Sequence, residues 1–153
     1  MPFRLRKDTR KWFKSIESAF DLDFDMYYLC LMAGLAVGRK EDIPLGDTTE
    51  LVDDFPGDYR PKGRIVLSLF LSRELKALGV RLSERSTLHS AIHRLVDPLS
   101  ASHLSDAGLK EMNRYSFGGF EVLTEWFDDQ PRTIETFLPL YKRKLDAALE
   151  TKS

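Results

Sequence analysis

One cysteine and three histidines are all that this 153-residue chain offers in thiol and imidazole chemistry. A lone Cys30 excludes an internal disulfide, which suits a reducing cytoplasm. No apolar run approaches the ~18–20 residues of a membrane span, and no apolar leader follows Met1, so a soluble, cytoplasmic protein is expected. The net charge of −1 supplies no global reason to expect a polyanion as partner. Neither a phosphate-binding glycine loop followed by Lys-Ser/Thr nor an H-E-x-x-H helix is present. What remains is 42% hydrophobic with 11% aromatics, enough for one globular domain over 1–153 with a sizeable core.

The near-zero charge hides an uneven distribution. Residues 1–15 carry Arg4, Arg6, Lys7, Arg10, Lys11 and Lys14 against Asp8 alone, a local +5. Glu17, Asp21, Asp23 and Asp25 follow at once. A basic arm therefore precedes an acidic knot. Phe3 and Leu5 alternate with Arg4 and Arg6, the period of a short strand with both arginines on one outward face. From Asp8 onward Trp12, Phe13, Ile16, Ala19 and Phe20 recur at helical spacing. "FDMYYLCLMAGLAVG" predicts a largely buried second helix ending near Gly38. With hardly a polar face, that helix predicts self-association into a homo-oligomer.

Residues 39–63 hold Pro44, Gly46, Pro56, Gly57, Pro61 and Gly63 and are expected as a long polar loop. Helices resume in "RIVLSLFLSRELKAL" and "STLHSAIHRLV", the latter stopped by Asp97-Pro98. "SDAGLKEMNRY" and "FEVLTEWF" are expected to flank a turn at "SFGG", and a last helix from about Thr133 to be bent or broken by Pro139. The fold class is mainly α: a compact helical domain with a short N-terminal strand and a ribbon-helix-helix-like start over 3–38. The polar loop at 39–63 and a helical remainder over 64–153 complete it.

In a ribbon-helix-helix unit two chains pair their strands, and the outward side chains can enter a DNA groove. Arg4 and Arg6 could then reach bases or phosphates, although charge on a short strand also protects an edge from aggregation. "GVRLSERSTLHSAIHRLV" invites a helix-turn-helix reading, in which Arg81, Arg85 and Arg94 meet phosphates across a rather long turn. His89 and His93 are four apart, as zinc ligation on a helix requires. With only His103 as a third imidazole, ordinary surface residues are expected and no metal or other cofactor. Gly118 and Gly119 could let amides approach a phosphate, but a plain inter-helix turn is expected. Phe117, Phe120, Trp126 and Phe127 suit a core or a partner-facing surface. Cys30, in an apolar stretch without a neighbouring histidine, is expected to be inert.

The stretches "RLRKDTRKWFKSIESAFDLDFDMYYLCLMAGLAVG" and "LSDAGLKEMNRYSFGGFEVLTEWF" resemble DndE-like proteins of bacterial DNA phosphorothioation (sulfur modification), over about 60 of the 153 residues. The middle, about 39–104, is longer than the family pattern. The resemblance implies a helical, self-associating, non-catalytic subunit. It would bind duplex DNA, nicked duplex included, beside the other DNA-modification subunits. The electrostatic footprint is expected at Arg4, Arg6, Lys7, Arg10, Lys11 and Lys14, extended by Arg81, Arg85, Lys110 and Arg114. The alternatives are a protein–protein adaptor without DNA contact, a helix-turn-helix transcriptional regulator, and a small enzyme or metal protein using His89 and His93.

Overall fold

The computed structural model describes residues 1–152, with side chains to residue 150. It is mainly helical, with one short two-stranded antiparallel sheet. Strand β1 (Arg4–Arg6) leads into α1 (Lys7–Trp12), a 3-10 turn at Lys14–Ala19 and α2 (Phe24–Val37). A second 3-10 turn (Leu45–Asp47), β2 (Thr48–Glu50) and a third 3-10 segment (Gly57–Lys62) occupy the region expected as a loop. Then come α3 (Gly63–Ala77), α4 (Arg85–Leu95), α5 (Asp106–Trp126) and α6 (Ile134–Lys152). Among the described residues no helix is long and apolar enough to cross a membrane.

Two compact units divide these elements. One joins Met1–Phe3 to Val52–Met112, and the other joins Arg4–Leu51 to the chain from Asn113 onward. The expected segments are thus redistributed: residues 39–51 stay with the N-terminal elements, whereas 52–63 go with α3.

In the first unit Phe3, Phe55, Val66, Phe70, Leu95 and Leu109 form the core. The Phe3 N–H donates to the Val52 carbonyl at 2.8 Å, and the Phe3 and Phe55 rings lie 5.1 Å apart. Helix α5 begins here at a serine cap. The Ser105 hydroxyl accepts from the Gly108 N–H at 3.0 Å, satisfying one of the donors that a helix start leaves open.

In the second unit β1 pairs antiparallel with β2, Leu5 opposite Thr49, so the strand has its partner within the chain. Helix α2 is apolar nearly all round, and nine of its fourteen residues are buried. The chain covers this helix itself, so its coverage does not call for a second copy. Its N-terminus is closed by the acidic knot: Asp25 accepts from the Leu22 N–H at 3.1 Å, and Asp23 pairs with Arg10 at 3.0 Å. Gly38, in the left-handed region at φ 79°, ends it, and its N–H returns to the Gly34 carbonyl at 2.7 Å. Around Trp12 an aromatic cluster gathers Phe13, Phe120, Phe127 and Phe137 at centroid separations of 4.9, 5.9, 5.9 and 6.1 Å, mostly edge to face. The Tyr141 hydroxyl donates to the Leu29 carbonyl at 2.7 Å, tying α6 to α2.

Two expectations are corrected here. "SFGG" is not a turn, because α5 runs unbroken through it from Asp106 to Trp126. Its glycines serve a close crossing instead: a Cβ on Gly119 would fall on the Cys30 carbonyl of α2, and one on Gly34 would fall on the Tyr115 carbonyl of α5. Gly118 likewise faces the Arg39 backbone. Pro139 does not end the last helix, for α6 continues through it. The cost is one missing backbone donor near the helix start, which the Phe137 and Tyr141 contacts on either side offset.

Because the atoms in the way at Gly119 are backbone, they cannot swing aside. Gly119→Ala should destabilise the protein by about 3 kcal/mol through overpacking. Gly46→Ala, with nothing within 4 Å of the added methyl, should stay within about 0.5 kcal/mol. Denaturant melts of the two variants against the parent check the contrast.

Candidate nucleic-acid interface

The outward face expected for Arg4 and Arg6 is not open to solvent. Alternation correctly turns Phe3 and Leu5 away from the arginines, but α5 covers the other side of the strand. The Arg6 guanidinium lies 4.8 Å above the Phe120 ring and donates to the Phe117 carbonyl at 2.9 Å. It makes a two-pronged pair with Asp8, at 2.9 and 2.7 Å, and meets Glu121 at 2.9 Å. Its side chain is only 8% exposed. Burial by itself disfavours this charge. The hydrogen bonds and charges of Asp8 and Glu121 outweigh that penalty and raise the guanidinium above its ordinary value.

Arg4 is held almost as firmly. Its Nε donates to the Thr48 hydroxyl at 2.8 Å, and a terminal nitrogen meets Glu50 at 3.3 Å, so it locks β1 onto β2. The Arg4 N–H also reaches Asn113, whose Oδ1 accepts from the buried Tyr27 hydroxyl at 2.7 Å. Arg10 is engaged by Asp23, and Arg114 meets Asp42 at 2.8 Å. Four of the ten expected contact residues therefore neutralise carboxylates of their own unit. Sequence periodicity could not reveal this, because apart from Asp8 the partners lie 13 to 115 residues away.

Lys7, Lys11 and Lys14 differ from them. All three are exposed, and none has an ion-pair partner among the described residues. Lys7 and Lys11 stand one turn apart on α1, whose inner side is fixed by buried Thr9 and Trp12, and Lys14 opens the 3-10 turn that follows. The aromatic cluster beneath holds this short helix in place, so the lysines form a fixed cationic stripe.

In the first unit, Arg85 and Lys110 are exposed and unpaired among the described residues, while Arg81 makes only a loose contact with Glu84 at 4.0 Å. Helices α3 and α4 contact each other, but residues 78–84 form a connection longer than a tight helix-turn-helix turn. His89 and His93 lie on the exposed side of α4. The Cys30 thiol is fully buried, and that burial pushes its pKa far above the ordinary thiol range. Arg6 pulls it down and Asp8 up by lesser amounts. A thiol in this state is not a nucleophile.

No family model, curated protein or solved structure matches this chain.

The charges thus divide into structural arginines and solvent-facing lysines, and stability separates them. Arg6→Ala, which strips a buried cation from two carboxylates and a carbonyl, should cost about 3 kcal/mol. Lys7→Ala should cost less than ~0.5 kcal/mol. Urea denaturation at neutral pH distinguishes the two.

Proposed function

We propose that this protein is a non-catalytic DNA-binding subunit of a bacterial DNA phosphorothioation complex. It would contact the phosphate backbone of duplex or nicked DNA through Lys7, Lys11 and Lys14. The observation that carries the reading is the contrast within the N-terminal arm. Its arginines are consumed by internal carboxylates, whereas its three lysines stand exposed with no ion-pair partner among the described residues.

An unpaired lysine on a rigid surface is a point charge that can displace a counterion from a polyanion without first breaking an internal pair. Lysine contacts of this kind set position along the backbone and carry no base information. That suits a subunit that must lie on DNA of many sequences while partner subunits perform the chemistry. The phosphorothioation setting rests on the resemblance of the two quoted stretches. These correspond to β1, α1 and α2 and to the whole of α5, whose part from Asn113 onward belongs with the first three to the second unit. Partner subunits or a second copy would find apolar surface at Ile65 and Leu69 of α3, which remain exposed one turn apart.

Fluorescence anisotropy on intact, nicked and single-stranded oligonucleotides over a salt series tests the reading. Three neutralised phosphates correspond to a log–log salt slope of roughly −2.7. Replacing Lys7, Lys11 and Lys14 together with Ala should flatten the slope by about 2 to 3 units and weaken all duplex sequences alike. An unchanged slope in the folded triple variant, or no binding by the parent at low salt, would overturn the proposal.

A further inference from the structure

The geometry points to a second, independent site: His89 and His93 form a bidentate chelate for a divalent transition-metal ion on the exposed side of α4. Their Nε2 atoms lie 2.9 Å apart and their ring centroids 4.4 Å apart. In copper, nickel or zinc complexes the metal–imidazole distance is about 2.0 Å. Two donors 2.9 Å apart then subtend about 90° at such an ion, the angle of neighbouring positions in the tetragonal geometry of Cu(II) or Ni(II).

The helix supplies the preorganisation. A four-residue separation stacks the two side chains on one face. Leu88, Ala91, Ile92 and Leu95 turn to the other side, Leu95 fully buried, and fix the rotation of α4 about its axis. Without metal the two nitrogens share one hydrogen bond, which requires a proton on one of the Nε2 atoms. Chelation replaces that bond. The proton moves to Nδ1 of the same ring, so both Nε2 lone pairs face the ion and no net proton is released.

Nearby charge sets the strength. Arg85, one turn before His89, and Arg94, beside His93, oppose a bound cation, although both are exposed and screened by salt. The carbonyl end of α4, whose last turn contains His93, favours one. Among the described residues no group of three or more His, Cys, Asp or Glu side chains assembles a metal site. The remaining positions on the ion are therefore left to water or an incoming donor, an open coordination sphere rather than a closed structural one.

Copper(II) is the natural probe, since imidazole affinity peaks there among the first-row divalent ions. Full-length, chelator-stripped protein titrated with Cu(II) in a non-coordinating buffer should take up one equivalent. Electron paramagnetic resonance should resolve coupling to two imidazole nitrogens. His89→Ala and His93→Ala should each weaken uptake by about a hundredfold, because losing one of two linked donors removes the effective-concentration gain. His103→Ala should change nothing. All three side chains are exposed, so circular dichroism should report a native helix content throughout. Substoichiometric uptake, a one-nitrogen spectrum, or equal affinity in the His89→Ala and His93→Ala variants would overturn the inference. None of these readouts involves DNA, so their failure is distinguishable from failure of the DNA-binding reading.

Discussion

Two helices meeting at bare backbone is the constraint on which the second unit depends. Where α2 crosses α5, Gly34 and Gly119 let the chains approach until carbonyls occupy the space that side chains would fill. Larger residues would hold the axes at the 8–10 Å usual for packed helices, and the structure forgoes that margin. The approach places Ser116 where its hydroxyl donates to the Tyr27 carbonyl at 3.2 Å, and Asn113 where it accepts from the Tyr27 hydroxyl. It also brings Phe117, Phe120 and Glu121 of α5 to the strand that carries Arg6. The buried arginine, the aromatic cluster and the position of α1 are all downstream of the glycine contact.

Electrostatics in this unit follow from the same closeness. A guanidinium enclosed by a helix must bring its counter-charges with it. Asp8 lies two residues further along the chain, whereas Glu121 comes from α5. Matched pairing of this sort contributes modest net stability but is costly to break on one side only. The arm therefore has two populations of cation with opposite roles, though both belong to one run of sequence. Charge counting treats them as equal. Burial separates them.

Much of the architecture was legible from residue patterns. The apolar run of α2, its stop at Gly38, the halting of α4 before Asp97-Pro98 and the alternation of β1 each follow from one local rule, and each stands in the structure. The failures share a physical cause. A Gly-Gly pair signals conformational freedom, and the chain can use it either to turn or to let another backbone in. Only the partner helix decides which. The triplet Thr48–Glu50 is too short and too polar to show a strand period, and it becomes a strand because β1 lies beside it. At the candidate site, periodicity located the face on which Arg4 and Arg6 fall but not what covers that face. The exposure of Lys7, Lys11 and Lys14 was legible because none of the described residues pairs with them. The distance between the His89 and His93 nitrogens depends on rotamers, which no spacing rule supplies.

The Cys30 carbonyl is the atom that Gly119 faces, and the thiol of the same residue, the one sulfhydryl in the sequence, is itself buried. Reagent cannot reach it, and thiolate hardly forms, while the elements packed around it stay in place. Its modification must wait for a local opening. The chain thus carries a built-in reporter of breathing: the rate at which Cys30 reacts measures how often the packing around this residue opens.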